Sequence, residues 1–179
     1  DAVCFGKGEV FKDAHNLSKK VMAITLGTGL GACFINRGES ISTGDLVPKD
    51  GEIYDLPYKE GIAEDYVSAR GLIAGYFALS GKKINNGLEL FNLAIAGDTM
   101  AKKVFEQMGE DLAAIVLPWL DNFSVDSFII GGKIANASEF FLPAFNQKIK
   151  EAGSDVAVSI STDNEIAALL GASSMLYKS

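Results

Sequence analysis

Residues 26–33 read LGTGLGAC, and the chemistry they allow is the holding of an anion. Gly27, Gly29 and Gly31 alternate with Thr28 and Leu30. Glycine at that density costs backbone entropy. It also opens close access to successive backbone N–H groups, which form anion-holding nests. Thr28 adds a hydroxyl. Three arrangements compete for such a cluster: a dinucleotide fingerprint, a Walker-type loop and a hairpin turn. The fingerprint would use Gly27, Gly29 and Ala32, and it needs a helix directly afterwards so that pyrophosphate meets a helix N-terminus. The sequel ACFINRG is short and apolar and stops at Gly38, which is the pattern of a strand. A Walker loop needs a following Gly-Lys-Ser/Thr, which is absent. A glycine-rich hairpin remains, either as a plain tight turn or as a turn that also holds an anion.

Other chemistries have few residues to work with. The chain has 179 residues, one histidine (His15) and two cysteines, Cys4 and Cys33, far apart in sequence. A catalytic histidine pair or a His/Cys zinc site is thereby close to excluded. Cys33 sits in an apolar run, where cysteine acts as a small hydrophobe, and a reduced, cytoplasmic setting is the expectation. The net charge is −7 and the cations are scattered, so direct nucleic-acid binding through this domain is not expected. No run of about 18 apolar residues occurs, so no membrane span is expected.

Elements must position the glycines. Two strand-length apolar runs, 19–27 and 32–40, flank them and read as a hairpin; 39–42 adds a third strand. Residues 1–12 have roughly helical spacing, weakened by Gly6 and Gly8. Residues 43–61 read as a long irregular loop with a short strand near Glu52–Tyr54. The pattern then predicts helices at 62–81, with its acidic end first, and at 87–97. A third, capped by Asp98, ends near Pro118. A buried strand follows over 126–133, closing on Gly131-Gly132. Next comes a helix with a capping arrangement at Asn136 and Glu139, split or kinked at Pro143. A strand at 156–161 and a helix at 162–177, opened by a Thr162–Glu165 capping box, complete the chain. Strand–helix alternation at the end indicates parallel strands. The expected class is α/β, one domain with a mixed sheet that starts as an antiparallel hairpin and carries helices on its faces.

With the segments in this order, the chain resembles the C-terminal domain of the ROK-family sugar kinases, the glucokinase-like group with a ribonuclease H-like, actin/hexokinase-type fold. The resemblance rests on DAVCFGKGE (1–9), LGTGLGA (26–32), GEIYDLP (51–57), EDYVSAR (64–70), FIIGG (128–132) and NEIAALLGA (164–172). It implies ATP-dependent phosphorylation of a hexose or hexose derivative. Asp1 would be the general base on the sugar hydroxyl. Gly27, Thr28, Gly29 and Gly31 would form the second phosphate loop, and Gly131 and Gly132 the adenosine-side glycines. Glu52 and Glu64 would contact sugar. By themselves, Asp1 is an ordinary helix cap, and Glu52 and Glu64 are ordinary solvated acids.

The departures from the family pattern are specific. Around Glu52 the family reads Gly-Glu-X-Gly-His; here Tyr54-Asp55 stands at the last two positions. Asp55 is thus a candidate sugar acceptor and Tyr54 a ring to pack on the sugar. The family's zinc cysteines have no counterpart in LPYKEGIA (56–63), so a zinc-free member is expected, with Mg²⁺ accompanying ATP. No Asp-X-Gly-Gly-Thr phosphate loop is present. The resemblance therefore implies a partner lobe N-terminal to this chain, without which kinase activity is not expected. Family members also form dimers or tetramers through this lobe. The alternative implied function is the sugar-sensing domain of a ROK-type repressor.

Overall fold

A computed structural model describes residues 2–161 and 167–172, the side chains of residues 14 and 15 excepted. Its centre is a five-stranded sheet in the order β3-β2-β1-β6-β7. β1 (Lys20–Leu26) and β2 (Leu30–Asn36) are antiparallel, and β3 (Glu39–Ile41) extends the meander. β6 (Ser127–Gly131) and β7 (Ala157–Ile160) run parallel to β1 on its other side. The mixed sheet anticipated from the sequence is the one observed.

Period-two alternation divides β1 between two cores. Met22, Ile24 and Leu26 join Phe34, Phe128 and Ile130 on the face covered by α2 (Ala69–Ser80), α4 (Thr99–Phe123) and α5 (Ser138–Glu151). Val21 and Ala23 join Cys33, Ile35 and Ile129 under α1 (Ala2–Lys12) and the helical stretch at 167–172. Gly6 and Gly8, unfavourable for a helix in isolation, are explained by this packing. A Cβ on Gly6 would crowd Ala23, Cys33 and Ile35, and one on Gly8 would overlap the backbone of Ala167. Burial pushes the Cys33 thiol up to about 12, so it is a protonated core residue.

Several local expectations are corrected. No strand forms near Glu52–Tyr54; the loop contains a 3₁₀ turn (Lys49–Gly51) and a two-stranded hairpin, β4 (Pro57–Tyr58) with β5 (Gly61–Ile62). The helix expected from residue 62 begins at Ala69, after an extended Ser68 (φ −131°). Glu64 and Asp65 lie in a separate 3₁₀ turn, Ala63–Asp65, because their carboxylates are engaged with neighbouring segments. α4 does not end at Pro118. Pro118 and Ala114, whose carbonyl loses its helical partner, both face solvent, while Leu120 and Phe123 continue the buried stripe. Pro143 likewise lies inside α5, whose cap is Ala137 with no side-chain bond, so the Asn136–Glu139 arrangement does not form. α3 (Gly87–Ile95) is capped by Asn86 and α4 by Asp98. The Thr162–Glu165 box lies outside the described residues.

Candidate functional site

The register Leu26↔Leu30 closes the β1–β2 hairpin over Gly27-Thr28-Gly29. The Gly27 N–H donates to the Gly29 carbonyl at 3.0 Å. The Gly27 carbonyl accepts from the Ala69 N–H at 2.8 Å, tying the loop to the start of α2. The three glycines answer three different constraints. A Cβ on Gly31 would lie 2.6 Å from Thr25 Oγ1 and 2.9 Å from the Ala2 Cβ, so this glycine lets α1 start against the loop. A Cβ on Gly29 would lie 2.6 Å from Glu64 Oε2, so this one admits a carboxylate. A Cβ on Gly27 would meet nothing within 4 Å, and Gly27 is not among the positive-φ glycines. Neither packing nor a positive φ demands glycine there.

A cleft of about 410 Å³ opens on this loop, lined by residues Thr25 to Gly31, Tyr54, Glu64 and Gly132. The structure thus brings six sequence-derived candidates, Gly27, Thr28, Gly29, Gly31, Glu64 and Gly132, together at one opening. Glu64 is held on both oxygens. Oε2 accepts the Leu30 N–H at 2.9 Å, and Oε1 meets Arg70 Nη2 at 3.1 Å. The side chain keeps 21% exposure, and an ionised carboxylate has about four acceptor sites. Two partners therefore leave capacity for ligand hydroxyls. Tyr54, 41% exposed, presents its ring at the same cleft, and its carbonyl accepts the Glu64 N–H at 3.0 Å.

Glu52, Asp55 and Gly131 do not line the cleft. Glu52 is half-buried beside β2. Burial raises its pKa, opposed by a backbone hydrogen bond from Ala32 and assisted by the charges of Asp55 and Asp50. Asp55 is exposed. Gly131 is the last residue of β6 and pairs with Thr25. Gly132 has φ +89°, and its Cβ would collide with the Leu26 backbone, so the strand-to-helix turn itself requires glycine there. Asp1 lies outside the described residues.

The Glu52 shift has a testable sign. Burial favours the neutral acid, so the folded state holds the proton more tightly than the unfolded chain. The resulting penalty is absent at pH values below the ordinary glutamate range. It grows as pH rises through the raised value and is constant above it. Glu52→Gln should therefore melt at the same temperature as the parent in acid and at an equal or higher one at neutral pH. A variant that melts lower at neutral pH than in acid, relative to the parent, contradicts this.

Sequence reasoning missed the partners of these groups. Leu30 contributes a backbone donor, which no residue type announces. Arg70 was visible only as part of EDYVSAR; it also bridges to Asp65 Oδ1 at 2.9 Å. Among the described residues, no group of three or more His, Cys, Asp or Glu side chains is placed to hold a metal ion. No described helix is long and apolar enough to cross a membrane.

A mixed sheet in this order, helices on both faces and a glycine hairpin at the cleft define a lobe of the actin/hexokinase class. The chain belongs to the ROK family, whose family model matches residues 1–178. It is 26% identical over 170 residues to the glucokinase of Thermotoga maritima, covering 83% of this chain and 54% of that protein. The chain thus spans about half the length of that curated relative. Its fold matches a ROK family glucokinase from Streptomyces griseus, solved in complex with glucose and AMPPNP. The TM-score is 0.76 at 21% identity, over 97% of this chain and 65% of that one. It also matches a ROK family transcriptional regulator, a homologue of the E. coli MLC protein. There the TM-score is 0.75 at 19% identity, over 96% of this chain and 50% of that one.

Proposed function

We propose that this chain is the C-terminal lobe of an ATP-dependent kinase acting on a hexose or hexose derivative. The observation that carries the reading is Gly27, a glycine required by neither packing nor φ, beside the Thr28 hydroxyl on a cleft that also holds Glu64. The glucokinase relative and the S. griseus glucokinase with glucose and AMPPNP support it. The Gly27–Gly31 loop would hold the ATP phosphates through the Thr28 hydroxyl and amides other than those of Gly27 and Leu30, which bond within the lobe; fixed donors of this kind supply most of the catalysis in phosphoryl transfer. Glu64, Glu52 and Asp55 would accept sugar hydroxyls in charge-assisted hydrogen bonds. Asp1 would take the proton of the attacking hydroxyl. Gly131 and Gly132 would lie against adenosine. Mg²⁺ would enter with ATP as part of the substrate. A second, N-terminal lobe of the same protein would close over this one and bring sugar and γ-phosphate together. The cytoplasm, where ATP is supplied, is the proposed location.

Gly27→Ala in the full-length protein tests the carrying observation. The added methyl meets open space, so the melting temperature should stay within about 1 °C of the parent. Affinity for AMPPNP, measured by calorimetry, should fall at least about tenfold because the methyl blocks phosphate approach to the loop amides. Unchanged affinity would remove the loop from the nucleotide site.

A second reading is the sugar-sensing domain of a repressor, favoured by the match to the MLC-type regulator. It requires sugar binding without nucleotide transfer, and a helix-turn-helix rather than a phosphate loop in the N-terminal part of the whole protein.

A further inference from the structure

Asp111 is a carboxylate in the middle of α4, with its side chain only 7% exposed. Its Oδ1 accepts from Lys59 Nζ at 2.7 Å, from the Tyr58 hydroxyl at 3.0 Å and from Gln107 Nε2 at 3.3 Å. With the Lys59 side chain 41% exposed, the pair is only part-buried and weak as a source of stability, and an apolar side chain at 111 would serve the helix core as well or better. Lys59 stands at φ +49°, a conformation that a non-glycine side chain adopts at a cost. The tip of the β4–β5 hairpin therefore retains a lysine where glycine would be easier. Its ammonium also lies 5.2 Å from the Tyr58 ring centre and 5.0 Å from that of Tyr66, and the two rings meet edge-on. Burial, then the adjacent Asp111 charge, raises the Tyr58 pKa above its ordinary value, so the hydroxyl stays a donor.

From this hairpin the contacts lead in one direction. The Glu60 N–H donates to the Tyr66 hydroxyl at 3.3 Å, and the Ile62 N–H to Asp65 Oδ2 at 3.0 Å. Arg70 joins Asp65 to Glu64, and Glu64 receives the Leu30 N–H. We infer that Tyr58, Lys59 and Asp111 are positioning residues for Glu64: their clamp pins the 57–62 hairpin to α4 and thereby aims the Glu64 carboxylate at the phosphate-loop hairpin. The effect on the sugar KM rests on the reading of Glu64 as a sugar ligand; the effect on the Leu30–Glu64 bond does not.

Two readouts on the full-length protein separate these. Lys59→Met keeps the aliphatic stem over the rings and removes the cation. Amide exchange at Leu30 should quicken about tenfold, while exchange in the centres of α4 and α5 stays at the parent rate. The sugar KM should rise about tenfold, with kcat within about twofold and the ATP KM within about threefold. Lys59→Arg, which keeps the charge, should recover most of both effects. Unchanged Leu30 exchange overturns the inference. So does uniform quickening across the fold. Faster Leu30 exchange confined to that site with an unchanged sugar KM supports the clamp and removes Glu64 from the sugar site. If the parent phosphorylates no sugar, the kinase reading fails and the Leu30 comparison alone decides the clamp.

Discussion

Glu64→Gln should lower kcat/KM for the sugar by about a hundredfold or more in the full-length protein, through KM more than kcat. The substitution keeps the shape and removes the charge. A charge-assisted hydrogen bond is worth roughly twice a neutral one, so acceptance of two sugar hydroxyls weakens together. The amide also carries a donor where the carboxylate had only acceptors. Whichever way it turns, its NH₂ faces the Leu30 N–H or the Arg70 guanidinium, both of them donors. Gly29→Ala should reproduce part of this loss without touching a titratable group. Its methyl would sit 2.6 Å from Glu64 Oε2, too close to be accommodated, so the carboxylate must retreat and release Leu30. Sugar and ATP titrations on both variants check this. Glu64→Gln with an unaltered sugar KM removes Glu64 from the sugar site.

If Asp1 is the general base, Asp1→Asn should lower kcat by about a thousandfold, within the range a positioned general base contributes, while the sugar dissociation constant should stay within about threefold. The asparagine oxygen still accepts a hydrogen bond, so ground-state binding persists. It does not take up a proton as the sugar oxygen attacks. A carboxylate of ordinary pKa is ionised at neutral pH and does so. Ala2, the next residue, packs near Gly31, so α1 begins at the edge of the glycine loop. Turnover equal to that of the parent removes Asp1 as the base. Equal losses in turnover and sugar affinity would make it a binding residue instead.

The hairpin around the glycines was legible because its strands, buried on both faces, read as short apolar runs and its turn is marked by residue type. The parallel strands at 127–131 and 157–160 were legible for a related reason, as short apolar runs between helices. Other features depend on information that one-dimensional patterns do not carry. The segment after residue 62 has helical composition, yet Glu64 and Asp65 are drawn out of α2, Glu64 by the tertiary bond from Leu30 and Asp65 by the local turn bond from Ile62. Pro118 ends an isolated helix but not α4, because residues beyond it are buried and the lost hydrogen bond faces water. Strands of two residues leave no periodicity, so the 57–62 hairpin was invisible. So was Asp111, which sits one position before Leu112 of an apolar stripe and resembles a surface acid. The glycines of the loop are alike in sequence and differ in what surrounds them. Only the packing distinguishes Gly31, which admits a helix, and Gly29, which admits Glu64, from Gly27, which faces open space.

The central claim is that this lobe belongs to an enzyme moving phosphate from ATP to a sugar. Its most direct test incubates the full-length protein with Mg–ATP and a panel of hexoses, amino sugars and N-acylated sugars, reading ADP and sugar monophosphate together by mass spectrometry. One sugar class should yield its monophosphate in equal amount to ADP, and Asp1→Asn should abolish nearly all of both. A folded protein that transfers phosphate to none of these sugars and binds no ATP would contradict the central claim.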